Sequence, residues 1–194
     1  MDIFTTNFMP PLELKTDQFH LFPTDAALYT SDYEAVMKSR GSLRVWSQSN
    51  WPEDTFTVEQ NRDDLMLHVA DNQKHEAYGF MLYTLDRNQC LGSVYVNPLS
   101  TVVSNYSLTV ADRELVEANN ARIDFWVSDD VNERLEKSIT VSIRDWLKND
   151  WKINALFSAR EGMARRIQIY EAIGLEKAAS LTGREPGISL LLYR

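Results

Sequence analysis

The sequence predicts a mixed α/β domain, one twisted sheet of about six to seven strands with helices on its faces. Three features predict it. Apolar and polar residues alternate through Ala121-Arg122-Ile123-Asp124-Phe125-Trp126-Val127, the period of a strand with two unlike faces. Helical periodicity follows at once, with Val131, Leu135, Ile139, Ile143, Trp146 and Leu147 recurring every three or four positions. Strand and helix signals then alternate to the C-terminus. No repeat, low-complexity tract or linker divides the 194 residues, so a single domain over 1–194 is expected.

Taken in order, residues 1–15 contain Pro10-Pro11 and little periodicity, and read as a loosely held arm or an edge segment. Phe19, Leu21 and Phe22 suggest a first strand closed by Pro23. Thr24 and Asp25 can cap a helix reaching about Ser39, with Leu28, Tyr33, Val36 and Met37 inside and Gly41 at its end. Leu43 to Pro52 is irregular and carries Trp46 and Trp51. Thr57 and Gln60 form a capping-box pattern, each side chain accepting an amide of the first turn, ahead of Val58, Leu65, Met66 and Val69 at helical spacing.

Ala77 to Leu85 and Cys90 to Val96 read as a hairpin around Asp86-Arg87-Asn88-Gln89. Leu99 to Asn120 is a long connection with a short helix near Ala111 to Ala118. Asp130 and Glu133 give a second capping-box pattern, heading a helix over 131–150. Ile153 to Phe157 is a short strand, joined to Ala121–Val127 by a parallel crossover. Ser158 and Glu161 give a third capping-box pattern, opening a helix that Gly174 ends with Leu175 packing back on its last turn. Ile188 to Tyr193 is the closing strand.

The formal charge of -8 argues against nucleic acid or anionic membrane as a partner, because both require Lys and Arg to neutralise phosphate. Cationic partners such as amines fit better. Cys90 is alone, which excludes an internal disulfide framework and suits a reducing cytoplasm. With no basic residue before Lys15 and no long apolar run, neither a signal peptide nor a membrane span is expected, and the chain reads as cytoplasmic.

A helix starting just past a strand turns its unpaired amides and positive dipole end outward, where phosphates bind in many folds. Here that turn holds Asp129, Asp130 and Glu133 with Arg134 as the nearby cation, and no glycine lies between Gly92 and Gly162. Carboxylates would compete with a phosphate for the same donors.

From roughly His68 to the C-terminus the sequence resembles the GNAT superfamily of N-acetyltransferases, which use acetyl-CoA. Ile169-Tyr170-Glu171-Ala172-Ile173-Gly174-Leu175 looks like the family's Leu-Tyr-Glu-x-x-Gly-Phe segment, and Ala77-Tyr78-Gly79-Phe80, Leu91-Gly92-Ser93-Val94 and Arg122 to Val127 resemble its three middle strands. The resemblance implies a GNAT-type sheet whose fourth and fifth strands splay to admit pantetheine. It places cofactor contacts at Phe125, Trp126, Val127, Asn132, Arg134 and Met163, the last where the family often carries Asn.

By the same resemblance Tyr170 is the acid that protonates the departing thiolate; its other reading is a packed anchor beside Ile173 and Leu175. Asp124 could take the amine proton, or pair with Arg122. Trp46 and Trp51 lie where the family walls its acceptor site, so both are candidate substrate contacts as well as packing residues. His68, Asp71 and His75 lack the companion ligands of a zinc site, and no metal is expected. Arg165 and Arg166 could meet a cofactor phosphate or form a wet helix face. The expected function is direct acetyl transfer from acetyl-CoA to a primary amine of a small molecule or peptide. The alternative is a noncatalytic binding or assembly module on the same fold. Edge strands of such a sheet offer a route to a homodimer.

Overall fold

A computed structural model of the protein describes residues 2–194. Strands β1 (Leu14–Lys15) and β2 (His20–Pro23) lead through a 3-10 turn at Ala26–Leu28 into three helices, α1 (Tyr29–Lys38), α2 (Arg40–Ser47) and α3 (Val58–Lys74). The hairpin β3 (Tyr78–Tyr83) and β4 (Cys90–Asn97) follows, then α4 (Ser100–Asn105), β5 (Tyr106–Ser107) and α5 (Val110–Glu117). The last third runs β6 (Ala121–Val127), α6 (Glu133–Trp146) with a π-helical turn at Leu147–Trp151, β7 (Ala155–Ala159), α7 (Ala164–Ala172), β8 (Lys177–Gly183) and β9 (Ser189–Tyr193).

The nine strands form one mixed sheet in the order β1-β2-β3-β4-β6-β7-β9-β8-β5. Its parallel pair is β6 with β7, as the crossover through α6 requires. Alternation along β6 decides what each face buries. Ile123, Phe125 and Val127 join Ile139, Ile143 and Trp146 of α6 and Tyr170 of α7 in one core. Trp126 points the other way, to a second core with Val36, Leu43 and Leu65 of α1–α3. A third core packs Val102 and Val116 of α4 and α5 against Leu156, Leu190 and Leu192.

Several expectations hold. Thr57 and Gln60 make both capping-box bonds, at 3.2 and 2.8 Å. Gly174 adopts φ +82°, a conformation costly for any residue with a Cβ, and the Leu175 amide bonds the Tyr170 carbonyl at 2.9 Å.

Others need correction. The arm is anchored: Ile3 is fully buried, the Tyr78 hydroxyl donates to the Ile3 carbonyl at 2.7 Å, and Trp151 Nε1 donates to the Pro11 carbonyl at 3.0 Å. Met1 lies outside the described residues. Gly41 does not end a helix; it sits within α2, which occupies much of the segment read as irregular. Met66 is 55% exposed, because α3 turns Leu65 and Asn61 inward instead. α6 is capped by Asn132, whose side chain accepts the Leu135 amide at 2.9 Å; the Asp130–Glu133 box does not form, and Asp130 pairs with Lys38 instead. Ser158 caps nothing, because it lies inside β7 and its hydroxyl donates to Asp124. β8 had no sequence signal.

Candidate active site

Register pairs Ala121 with Ala155, Arg122 with Leu156 and Ile123 with Phe157, and stops there. Beyond that point β6 runs on to Val127 and β7 to Ala159 without pairing each other. Sheet backbone left this way offers donors and acceptors to whatever enters the gap.

Much of the gap is bridged by the protein's own side chains. Arg166 of α7, 4% exposed, donates from Nη1 to the Phe125 carbonyl at 2.8 Å and stacks its guanidinium 3.6 Å from the Phe125 ring centroid. Its Nε donates to Glu136 of α6 at 2.6 Å, and Arg165 Nε reaches the other oxygen of the same carboxylate at 2.5 Å. The Tyr170 hydroxyl donates to the Ser158 carbonyl at 3.0 Å, with its ring among Phe125, Phe157 and Tyr193. Burial pushes the Tyr170 phenol up to about 12, against a lowering influence from Arg166.

Asp124, opposite Phe125 on the strand, is equally enclosed. One carboxylate oxygen accepts from Arg122 Nε at 2.6 Å and Asn97 Nδ2 at 2.9 Å; the other accepts from Ser158 Oγ at 2.5 Å with Arg160 3.7 Å away. Burial acts to raise its pKa, but Arg122, Arg160, Ser158 and Asn97 together hold it below the ordinary carboxylate value. A carboxylate with its lone pairs engaged and its pKa depressed is a weak base.

Two cavities meet at this strand. The first, about 520 Å3, opens on the α1–α3 side and is lined by Trp46, Trp51, Tyr95, Trp126, Asp64 and His68, with Asp124, Arg122 and Arg160 at its far wall. The second, about 500 Å3, lies where β6 leaves β7, between α2 and the start of α7, and is lined by Val127, Met163, Arg165 and Arg166 together with Ser42 and Val45. Trp46 and Trp126 line both. The two spaces therefore share a wall made by one helix and one strand.

The turn before α6 is closed by local bonds. The Val131 amide donates to the Ser128 carbonyl at 2.8 Å, and the Asp129 amide to Ser39 Oγ at 3.0 Å. Ser42 Oγ donates to the Asp129 carboxylate at 2.6 Å, and Lys38 meets Asp130 at 2.6 Å. The acids thus fasten the α1–α2 joint to the turn.

Of the residues the sequence singled out, Trp46 and Trp51 line the first cavity, Val127 and Met163 the second, and Trp126 both. Phe125 offers its carbonyl to Arg166 and its ring to the core. Asn132 and Arg134 fall outside both cavities: Asn132 is the cap of α6 and Arg134 an exposed residue of its first turn. Tyr170 lines neither, being fully buried. His75 bonds the Tyr78 hydroxyl at 3.1 Å, away from His68. Among the described residues no group of three or more His, Cys, Asp or Glu side chains is placed to hold a metal ion, and no helix is long and apolar enough to cross a membrane. Sequence reasoning missed His68 and Asp64 as cavity residues; their spacing of one helical turn was the available signal.

No protein-family model and no curated protein sequence matches the chain. Solved structures do match in fold. RimL, a ribosomal L7/L12 alpha-N-protein acetyltransferase in complex with coenzyme A, aligns with a TM-score of 0.68 at 12% identity, covering 94% of each chain. The microcin C7 self-immunity acetyltransferase MccE, in complex with acetyl-CoA and AMP, gives 0.69 at 12% identity over 94% of this chain and 95% of that one. A GNAT-family acetyltransferase from Bacillus anthracis gives 0.65 at 10% identity over 93% and 96%. The chain has the GNAT acetyltransferase fold.

Proposed function

We propose that this protein is an N-acetyltransferase that passes acetyl from acetyl-CoA to a primary amine of a small molecule or peptide by direct attack. Its main support is the parting of β6 from β7 beside two cavities with a shared wall. That arrangement lets a thioester arm arrive from one side and an acceptor from the other. Structural neighbours that carry coenzyme A or acetyl-CoA on the same fold lend weight to the choice of donor. Cytoplasmic residence belongs to the same proposal.

The second cavity fits the arm of such a donor in part. Val127 and the Trp126 backbone lie at the open edge of β6, and Arg165 is the half-exposed cation at the cavity's rim. When bound, acetyl-CoA would supply the activated acyl group. Arg166 conflicts with full entry, because its guanidinium already occupies the Phe125 carbonyl that an extended amide chain would use. The amides of Asp129, Val131 and Leu135 are likewise committed, which leaves a diphosphate fewer donors at the head of α6.

That conflict favours a second proposal, a noncatalytic module whose gap is filled from within. A melting titration with acetyl-CoA separates the two, since saturable binding to the native state raises the melting temperature by linkage. A saturable rise supports the transferase. No rise at millimolar acetyl-CoA, in wild type and in Arg166→Ala alike, supports the module.

A further inference from the structure

Aromatic rings follow one another along the first cavity. Trp51, Trp46, Tyr95 and His68 succeed each other with centroids 6.4, 6.1 and 4.8 Å apart, and Phe56, outside the lining, meets Trp51 at 5.9 Å. The faces of Trp and Tyr rings attract cations and also pack flat apolar groups. The charges agree. Arg122 and Arg160 are both turned to Asp124, and with Asp64, half-buried on the same helix face as His68, and Asp32 deeper in the wall, the lining sets three carboxyl groups against two guanidiniums. Burial raises Asp64, with His68 and Trp51 opposing that effect and Asp63 adding to it.

His68 itself is set to accept a proton. Burial lowers its pKa below 6.5, with Asp71 and Asp64 pulling it back up, so the imidazole is neutral at pH 7. The charged and titratable groups around it are Asp64 and Asp71 on α3, Tyr95 on β4, Asp32 on α1, and the Asp124, Arg122 and Arg160 cluster across the cavity. Among these, Asp124 is saturated by donors and Asp32 accepts from Asn61 at 2.9 Å. His68 offers an imidazole lone pair from the cavity wall, beside the Asp64 carboxylate on the same helix face.

We propose that this cavity takes its acceptor as a primary ammonium on a flat apolar body, clasped by Trp46, Trp51 and Tyr95, and that His68 removes the proton the amine must lose. The inference rests on the transferase proposal above. In the balanced step, the ammonium gives one proton to His68, the freed lone pair forms the C–N bond as the C–S bond breaks onto sulfur, and the second N–H proton goes to that sulfur. His68 then returns its proton to solvent.

The test uses 2-phenylethylamine and its neutral counterpart 2-phenylethanol, read by quenching of tryptophan fluorescence without acetyl-CoA and by acetylation with it. The amine binds saturably and at least tenfold tighter than the alcohol, and Asp64→Asn removes most of that preference. Acetylation by wild type rises with pH through a step below 6.5. In His68→Gln, turnover falls by roughly a hundredfold, in line with the loss of a general base, and the step disappears while amine binding and the acetyl-CoA melting shift remain. Equal binding of amine and alcohol to wild type overturns the ammonium site. An unchanged pH profile in His68→Gln, with acetylation intact, overturns the base while leaving the transferase standing. Absence of both a melting shift and acetylation overturns the transferase and with it the base role, and is told apart by the cofactor titration alone.

Discussion

Arg166 holds the Phe125 carbonyl at 2.8 Å and covers the ring of the same residue at 3.6 Å, so one side chain closes both the polar and the apolar face of a strand position that pairs with Val94 of β4 but has no partner on β7. Removing one member of a buried, hydrogen-bonded ion pair typically destabilises by about 3–5 kcal/mol. Here Arg165 stays on Glu136 and softens the loss. Arg166→Ala is therefore expected to lower stability by roughly 2–4 kcal/mol in urea unfolding. The transferase proposal adds a second outcome: the variant shows a larger melting shift with acetyl-CoA than wild type does.

Tyr170→Phe separates chemistry from packing. The ring contacts persist, and the lost hydroxyl leaves the Ser158 carbonyl unpaired, a stability loss of about 1–2 kcal/mol by thermal or denaturant melts. If the phenol also protonates the departing thiolate, turnover drops while acetyl-CoA affinity holds. An unaltered turnover removes Tyr170 from the reaction and leaves it as a link between α7 and β7.

Asp124→Asn is expected to destabilise the fold by about 3 kcal/mol or more, because Arg122 and Arg160 keep their charge and lose their counter-ion. The pH sign follows from the depressed pKa. Stability from Asp124 is fully present above the ordinary value of 3.8 and is lost as pH falls through the lower folded-state value. Wild type should lose more stability than the variant between pH 4 and the acid transition, a comparison that circular dichroism melts make directly; parallel curves would exclude the ion cluster as a source of acid lability.

Asp32 works in the opposite sense. Burial raises it to about 6, with Asn61 and Cys90 lowering it and Asp64 raising it. Its favourable contribution is complete below 3.8 and fades as pH rises through about 6, so the ionised carboxylate is a liability at pH 7. Asp32→Asn keeps an acceptor for Asn61 and is expected to gain on the order of 2 kcal/mol at pH 8, shrinking towards zero at pH 4. Melting temperatures of the two proteins across that range check it.

How much of this was readable from the residues follows from where each determinant lies. β6 could be drawn to its ends because alternation is local, and the end of α7 because Gly174 has a conformational requirement of its own. α2 was hidden: eight residues with Leu43 as the buried one leave too short a pattern to register. β8 was hidden by Lys177-Ala178-Ala179-Ser180, weak strand formers held in place by β9. Ser158 shows tertiary context overriding a local signal, since a buried carboxylate 34 positions away outcompeted the backbone amide of a helix start. Trp46 and Trp51 line the first cavity, but the ring that packs on His68, Tyr95, sits on another element and no spacing rule could supply it.

The bonds from Ser39, Ser42 and Lys38 to Asp129 and Asp130 moor α2 at one end, while Trp46 near its other end borders both chambers. Under the transferase proposal, a helix so tethered would couple the occupants of the two chambers through Trp46, and thermodynamic reciprocity would make that coupling equal in both directions. Affinity for 2-phenylethylamine measured with and without saturating coenzyme A is accordingly expected to differ, and identical values would mean that the two guests ignore each other.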